Sequence, residues 1–298
     1  MEQLTKKLQT LGIEWEQNCP LSHHSSFRIG GAADLVLFPK SGDELCQALA
    51  LLKENEAPIL VIGNGSNVVF SDEGYRGVVV FTGKCRKIKI EDDTVCADAG
   101  VLLTSLSSAA REESLSGLEF AFGIPGTLGG AVYMNAGAYG GSMSDVCISS
   151  EYYDLQTGRV ERLVGEEQNF GYRTSIYQSH PERIILNATM KLKKGDGKLI
   201  SEQMRAYMDK RKSAQPLELP NAGSTFKRPE GYFAGKLIED CGLKGLAIGG
   251  AQVSTKHAGF IVNIGGATCE DVKRLVEQIK ATVLQQTGVA LECEIKFL

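Results

Sequence analysis

GIPGTLGGAVYMNAGAYGG, residues Gly123 to Gly141, is the stretch from which the rest of the chain can be read. Seven of its nineteen residues are glycine. Glycine is used where φ must be positive, or where a ligand or a second backbone comes within contact distance. Gly126, Gly129 and Gly130 lead into the small apolar pair Ala131-Val132; Gly137, Gly140 and Gly141 follow. Bare backbone N–H groups running into a short helix make an anion cradle, because the unpaired donors and the helix dipole point the same way. Phosphates or a pyrophosphate are the natural guests. The alternative is a Gly-rich surface loop. Such loops are usually polar, whereas this one carries next to no charge. Ile124, Leu128, Val132, Tyr133 and Met134 would be left exposed in it. A buried loop must satisfy its backbone polar groups, and a bound ligand can do that.

Upstream, Ser41-x-x-Glu44 has the form of a capping box and predicts a helix through about Asn55, with Leu45, Leu49 and Leu52 on one stripe. With the strands predicted at 34–38 and 59–62 this is a βαβ unit. The second strand ends in Gly63-Asn64-Gly65-Ser66-Asn67, a turn that presents N–H groups at a strand's carboxyl end. It lacks the third glycine of a Rossmann fingerprint and the Gly-Lys-Ser/Thr of a P-loop, so alone it reads equally well as a tight structural turn. Leu4, Leu8 and Leu11 predict a short opening helix that stops at Gly12. Strands are expected at 78–81, 87–90, 94–97, 146–153, 159–163 and 184–192, with a helix at 102–111. Gly195 to Gly197 marks a boundary. After it come helices at 198–212, 233–240 and 270–286, strands at 251–253 and 260–263, and a closing strand, Leu291 to Phe297. The chain carries no internal repeat.

With 298 residues the chain is long enough for two or three domains. A net charge of −4 gives no reason to expect a nucleic-acid or anionic-membrane partner. The eight cysteines are scattered, with no Cys-x-x-Cys pair, and read as reduced thiols; no Cys/His cluster has zinc spacing, so no metal is expected. No signal peptide and no apolar run of transmembrane length is visible, so the expectation is a cytoplasmic protein.

GNGSN at 63–67, the stretch at 123–140 and Asn221-Ala222-Gly223-Ser224-Thr225-Phe226-Lys227-Arg228-Pro229, in this order, resemble UDP-N-acetylenolpyruvoylglucosamine reductases, flavoenzymes of bacterial cell-wall synthesis. The resemblance runs from Ser26-Phe27-Arg28-Ile29-Gly30-Gly31 to Leu291-Glu292-Cys293-Glu294. It implies an α+β fold: an FAD-binding α/β pair of subdomains of the PCMH/vanillyl-alcohol-oxidase type, followed by a C-terminal α+β substrate-binding domain. The divisions that go with it are 1–85, 86–197 and 198–298. It implies that NADPH reduces a non-covalent FAD. The flavin then reduces the enolpyruvyl group of UDP-N-acetylglucosamine enolpyruvate to UDP-N-acetylmuramate, a step of peptidoglycan precursor synthesis tied to cell shape and division.

The resemblance also implies residue roles. The flavin would be cradled by Gly63, Asn64, Gly65, Ser66 and Asn67, and by Ile124, Pro125, Gly126, Thr127, Gly129 and Gly130. Asn135, Gly137, Ala138 and Tyr139 would line it, although a buried core tyrosine is an equal reading of Tyr139. Ser224 matches the general acid; a serine beside glycine is more commonly a turn residue bonded to its own backbone. Arg173, in Gly171-Tyr172-Arg173-Thr174-Ser175, matches the active-site arginine, and a guanidinium fork suits a carboxylate. A surface ion pair is the ordinary alternative for one of 32 lysines and arginines. Periodicity puts Glu292 and Glu294 on one face of the closing segment and cannot choose between them; the resemblance selects Glu294. Lys227 and Arg228 are candidates for the substrate's diphosphate, and some family members have asparagine in place of Arg228. Cys293 stands where the family often has proline. His257 is either a loop histidine or near the sugar. One dinucleotide-type cradle serving two substrates in turn predicts ping-pong kinetics, and a monomer or weak oligomer is expected. Two rivals stand beside this reading: another FAD-dependent oxidase or dehydrogenase acting on an alcohol or hydroxy acid, and a nucleotide-binding module without chemistry.

Overall fold

The computed structural model describes residues 2–298. It divides into two compact units, and the chain enters the second three times. The first comprises residues up to Gln17, Asp34–Asn64 and Gly77–Asp209; the second comprises Asn18–Ala33, Gly65–Arg76 and Lys210–Leu298.

The first unit holds helices α1 (Glu2–Thr10), α2 (Gly42–Glu54), α3 (Leu103–Glu112) and α4 (Leu128–Met134), and most of α5 (Gly197–Ala214). α1 is shorter than its leucines suggest: Leu4 and Leu8 are buried, but Leu11 lies past the helix and is 41% exposed. α2 starts where its sequence says. The Ser41 hydroxyl accepts from the Glu44 N–H at 3.2 Å, and the Glu44 carboxylate accepts from the Lys40 N–H at 2.9 Å, one residue outside the usual box. Its stripe of Leu45, Leu49 and Leu52 enters a core shared with Leu35, Leu37, Val78 and Val80. The sheet beside this core has the order Glu14–Pro20, Ala32–Phe38, Tyr75–Phe81, Ile59–Ile62. Strand 75–81 is therefore interposed between the two strands that α2 connects. It runs parallel to Ile59–Ile62 with Val79 opposite Leu60, and the residues 78–81 are almost wholly buried. That is why this run is apolar without alternation.

A five-stranded sheet makes up the rest of the unit, in the order Arg159–Val164, Cys147–Asp154, Arg183–Lys191, Thr94–Asp98, Ile88–Glu91. Every pairing in it is antiparallel. Its core takes Val95, Ala97, Tyr152, Ala188 and Met190 from the strands, Leu103 and Leu106 from α3, and Leu128, Ala131 and Val132 from α4. The Gly-rich stretch is thus anchored by its apolar residues in this core.

The second unit contains α6 (Ala234–Asp240) and α7 (Cys269–Thr287) around a three-stranded antiparallel sheet, Ala247–Ile248, Ala251–Val253, Ile261–Asn263. α7 buries Val272, Leu275, Val276, Ile279 and Val283, a helical stripe, and ends at Gly288 with φ +72. Its start is doubly capped. Thr268 accepts from the Asp271 N–H, and Asp72 accepts from the N–H groups of Cys269 and Glu270 at 2.7 and 3.1 Å.

The closing strand is a correction. Only Lys296–Phe297 forms a ladder, parallel to Val68–Val69. Leu291 and Ile295 are buried as the alternation requires, but Cys293 meets a single bridge partner, Phe226. The alternation reports two buried faces; a ladder also needs a neighbour along its length.

Candidate active site

In the first unit the candidate residues gather around α4. The GNGSN turn and the Gly-rich stretch touch directly. The Asn64 side-chain amide donates to the Pro125 carbonyl at 2.7 Å. A Cβ built on Gly63 would lie 2.1 Å from the Thr127 hydroxyl oxygen. Thr127 is 1% exposed, yet its hydroxyl has no hydrogen-bond partner among the described residues. Ile124 packs on the core, and Gly130 is exposed on the first turn of α4.

The expectation of a run of bare N–H groups is corrected in part. The Leu128 and Gly129 N–H groups donate to the carbonyls of Val101 and Ala99, both at 2.8 Å, and the Gly126 carbonyl accepts from Leu103. The stretch enters its helix paired like a strand with 99–103, which removes those donors from any ligand. Gly129 is glycine for packing: a Cβ there would stand 2.8 Å from that of Ala99. Among the glycines of this stretch only Gly140 has a positive φ, so close approach explains more of them than backbone conformation does.

Beyond α4 the chain turns left-handed at Asn135 and forms a hairpin, Gly137–Ala138 against Gly141–Ser142. The tight turn 171–174 braces this end. Asn135 donates to the Gly171 carbonyl at 2.9 Å and accepts from the Ser144 N–H at 2.9 Å. Ser175 and Gln178 both donate to the Tyr133 carbonyl, at 2.8 and 3.1 Å, satisfying an orphan acceptor at the helix end. Arg173, at φ +56, donates to the Gly137 carbonyl at 3.2 Å, and its guanidinium lies 5.2 Å from the Tyr172 ring. Arg173 is thereby tied to the cradle hairpin. Ser175 and Gln178 hold the end of α4, and neither stands out in the sequence beyond being a polar pair on opposite sides of an apolar Ile176-Tyr177.

In the second unit the residues of the 221–229 segment run beside the chain's end. Thr225 is clamped from both sides. Its N–H donates to Gly259 at 2.9 Å, and its carbonyl accepts from the Glu294 N–H at 2.8 Å. Its buried hydroxyl accepts from the Ile261 N–H at 3.1 Å. Ser224 follows Gly223, at φ +77, and stands exposed on the crest. Among the described residues its hydroxyl has no protein partner, so it is not a turn serine bonded to its own backbone. Glu294 is half-buried beside Thr225, and its carbonyl accepts from the Asn67 amide at 3.4 Å. The structure separates the two glutamates. Glu292 is exposed and ion-paired with Lys227. Arg228 lies over the Phe233 ring, 4.0 Å from its centroid. Burial pushes the Cys293 thiol up to about 11, so it stays protonated at neutral pH. His257 accepts from the Gly259 N–H at 3.1 Å, and burial holds its imidazole below the ordinary value.

Gly65, at φ +60, would drive a Cβ to 2.1 Å from the His24 carbonyl oxygen, and its own carbonyl accepts from Ser26. The N–H groups of Asn64, Gly65 and Ser66 donate to no protein acceptor among the described residues. Within the first unit, a buried Thr127 hydroxyl without a partner, a Gly63 where any side chain would fill the space and a spare Asn64 N–H fit the diphosphate of a dinucleotide cofactor.

Comparison with known proteins agrees. The model described as "FAD binding domain" matches residues 33–163, and the C-terminal domain model of UDP-N-acetylenolpyruvoylglucosamine reductase matches residues 215–298. A protein of that name from Alkaliphilus oremlandii is 49% identical over 280 residues, covering 94% of this chain and 91% of the relative. One from Clostridium novyi is 44% identical over 297 residues, covering 99% and 96%. The crystal structure of the enzyme of this name from Thermus caldophilus superposes with a TM-score of 0.79 at 35% identity, covering 96% of this chain and 98% of that one. The likeness spans both the Gly-rich cradle and the Ser224 segment, and the chain belongs to the family of UDP-N-acetylenolpyruvoylglucosamine reductases.

Proposed function

We propose that this chain reduces the enolpyruvyl group of UDP-N-acetylglucosamine enolpyruvate to give UDP-N-acetylmuramate, in peptidoglycan precursor synthesis, with FAD bound and NADPH as reductant. The family membership supports the reaction, and the match to an FAD-binding model supports the cofactor. The observation within the molecule that carries it is Ser224, an exposed hydroxyl on a rigidly clamped crest next to Glu294.

FAD, once reduced by NADPH, would supply the hydride for the enolpyruvyl carbon β to the carboxylate. The carbon–carbon π bond is then used up, and negative charge builds on the α-carbon and the carboxylate. Arg173 meets that charge with a cationic fork suited to a carboxylate. Ser224 gives its hydroxyl proton to the α-carbon, forming the second C–H bond; an enolate-like carbon is basic enough to take a proton from so weak an acid. Glu294 holds a proton beside Ser224 and orients the intermediate. Lys227 exchanges Glu292 for the substrate's diphosphate, with Arg228 assisting. Residues 1–85 and 86–197 serve the flavin, and 198–298 serve the sugar nucleotide. NADPH and substrate take turns at the flavin, which gives parallel initial-rate lines. Both substrates are cytoplasmic metabolites in this reading, and the chain works there as a monomer or weak oligomer; no described helix is long and apolar enough to cross a membrane.

The test is the visible spectrum of the purified protein under anaerobic conditions. A flavin spectrum that bleaches with NADPH and returns on adding the enolpyruvyl sugar nucleotide is expected. A flavin that bleaches and does not return moves the assignment to another oxidoreductase. A colourless protein that takes up no added FAD overturns the cradle.

A further inference from the structure

Tyr139 is an unusual residue for its place. It and Gly140 form the two-residue loop of the hairpin 137–142, and both have positive φ, +54 and +88. Loops of this kind favour Asn, Asp or Gly at both positions, because a larger side chain is strained there. A tyrosine in the first position gives up turn propensity, so its ring must be held by something else.

What holds it is Tyr207. The two rings are stacked, with centroids 4.4 Å apart and planes within 8°. Tyr207 stands on α5, whose buried residues are Ile200 and Met204. Positions 200, 204 and 207 share one helix face, so Tyr207 extends the inner stripe of α5 onto the hairpin. Tyr139 nevertheless remains 39% exposed. One face of its ring is covered by Tyr207, and the ring is not buried in a core. The base of the same hairpin is fixed separately, by Arg173 on the Gly137 carbonyl. Base and tip are thus held by two different elements.

We propose that Tyr207 is a positioning residue for the flavin cofactor. By stacking on Tyr139 it fixes that ring at the tip of the cradle hairpin and offers its other face to a flat heteroaromatic ring. This rests on the FAD reading above. Stacking of this kind is tolerant of the ring's substituents but needs an aromatic ring, so phenylalanine should replace Tyr207 and leucine should not.

The test uses the full chain freed of flavin, with FAD added back. Dissociation constants come from flavin fluorescence, the environment of the bound ring from the position of its visible absorption bands, and folding from the melting temperature without FAD. Tyr207→Leu is expected to weaken FAD binding by about three- to tenfold, the size of an aromatic pair's coupling, and to move the flavin bands. Its melting temperature without FAD should fall by only a few degrees, the loss of one aromatic pair from a chain that still folds. Tyr207→Phe should restore both affinity and band positions. Tyr139→Leu should lose as much alone as together with Tyr207→Leu, because one residue acts through the other. Wild-type affinity and bands in Tyr207→Leu, or losses that add in the double variant, overturn the inference and leave the FAD reading intact. A wild-type chain that takes up no FAD overturns both.

Discussion

Ser224 sits on a crest that its neighbours make rigid. Thr225 is tied to Gly259, Ile261 and Glu294, so the backbone that carries the exposed hydroxyl before it has a fixed position. Replacing it with alanine removes one oxygen and none of those bonds. Ser224→Ala should therefore keep flavin reduction by NADPH and slow flavin reoxidation by the enolpyruvyl substrate by about 10²–10⁴-fold, the range of general acid catalysis. Stopped-flow absorbance separates the two half-reactions, and survival of both removes Ser224 from the chemistry. In the same assay Glu294→Gln should slow reoxidation while Glu292→Gln, which loses only an ion pair with an exposed carboxylate, should not. His257 has a different signature. Burial holds it below its ordinary 6.5, with Lys244 also lowering it and Glu239 opposing. As pH falls the unfolded chain takes up the proton first, so this group's stability is whole above pH 6.5 and is lost on going through its folded value. The urea midpoint of the second unit should fall between pH 7 and 5.5, and His257→Gln should flatten that fall. Carboxylates such as Asp271, held below 3.8 by backbone N–H groups, act only at more acid pH. An unchanged slope in the variant would assign the fall elsewhere. Residue patterns alone make a serine after glycine, two alternating glutamates and a loop histidine ordinary; the family resemblance names Ser224 and Glu294, and the structure adds which distant segment lies beside each.

At the scale of elements, propensity was legible where one segment contains its own cause. The capping residues of α2, the stripe of α7 and the run 251–253 all lie within a few residues of what they specify. The closing strand was not, since a ladder depends on a partner and Cys293 has only a bridge. Tyr207 could not be found either: an aromatic on a mostly exposed helix is silent until the hairpin beneath it is known. The Gly-rich stretch stands out in the sequence by its glycines, but the expected run of bare N–H groups is not what they make, because the α4 entry spends two N–H groups on 99–101. What it leaves unspent is the Thr127 hydroxyl. A buried polar group without a partner costs about 1–3 kcal/mol. Thr127→Val, which keeps the shape and removes the oxygen, should therefore leave the protein without FAD as stable as wild type or more so, and should weaken FAD binding. Opposite signs in melting temperature and in flavin affinity are the expected pattern. A variant that loses stability without FAD would show that the hydroxyl already has a structural partner, such as an ordered water, and does not wait for a cofactor.

At the scale of the whole molecule, two cores in the first unit and one in the second are built from segments that alternate along the chain, and sequence order carries no sign of that alternation. It has a use in experiment. The chain has one tryptophan, Trp15, and it packs against the core of α2 in the first unit. Its fluorescence reports the unfolding of that unit, while far-ultraviolet circular dichroism reports both. A ligand that binds only the folded state adds about 2.7 kcal/mol at a hundred times its dissociation constant. For a unit of this size that is a rise of roughly 5–10 °C in the midpoint. FAD should therefore raise the Trp15 transition by that amount, because the Gly63, Thr127 and hairpin parts of the cradle all belong to the first unit. Where the second unit melts independently, the circular dichroism trace should split as FAD is added, with one part following Trp15 and the other moving less. If the Trp15 midpoint stays fixed while the rest of the signal rises, the flavin is held chiefly by the second unit. Gly65 to Asn67 would then be the principal diphosphate contact, and the Thr127 and Tyr139 assignments would have to be given up.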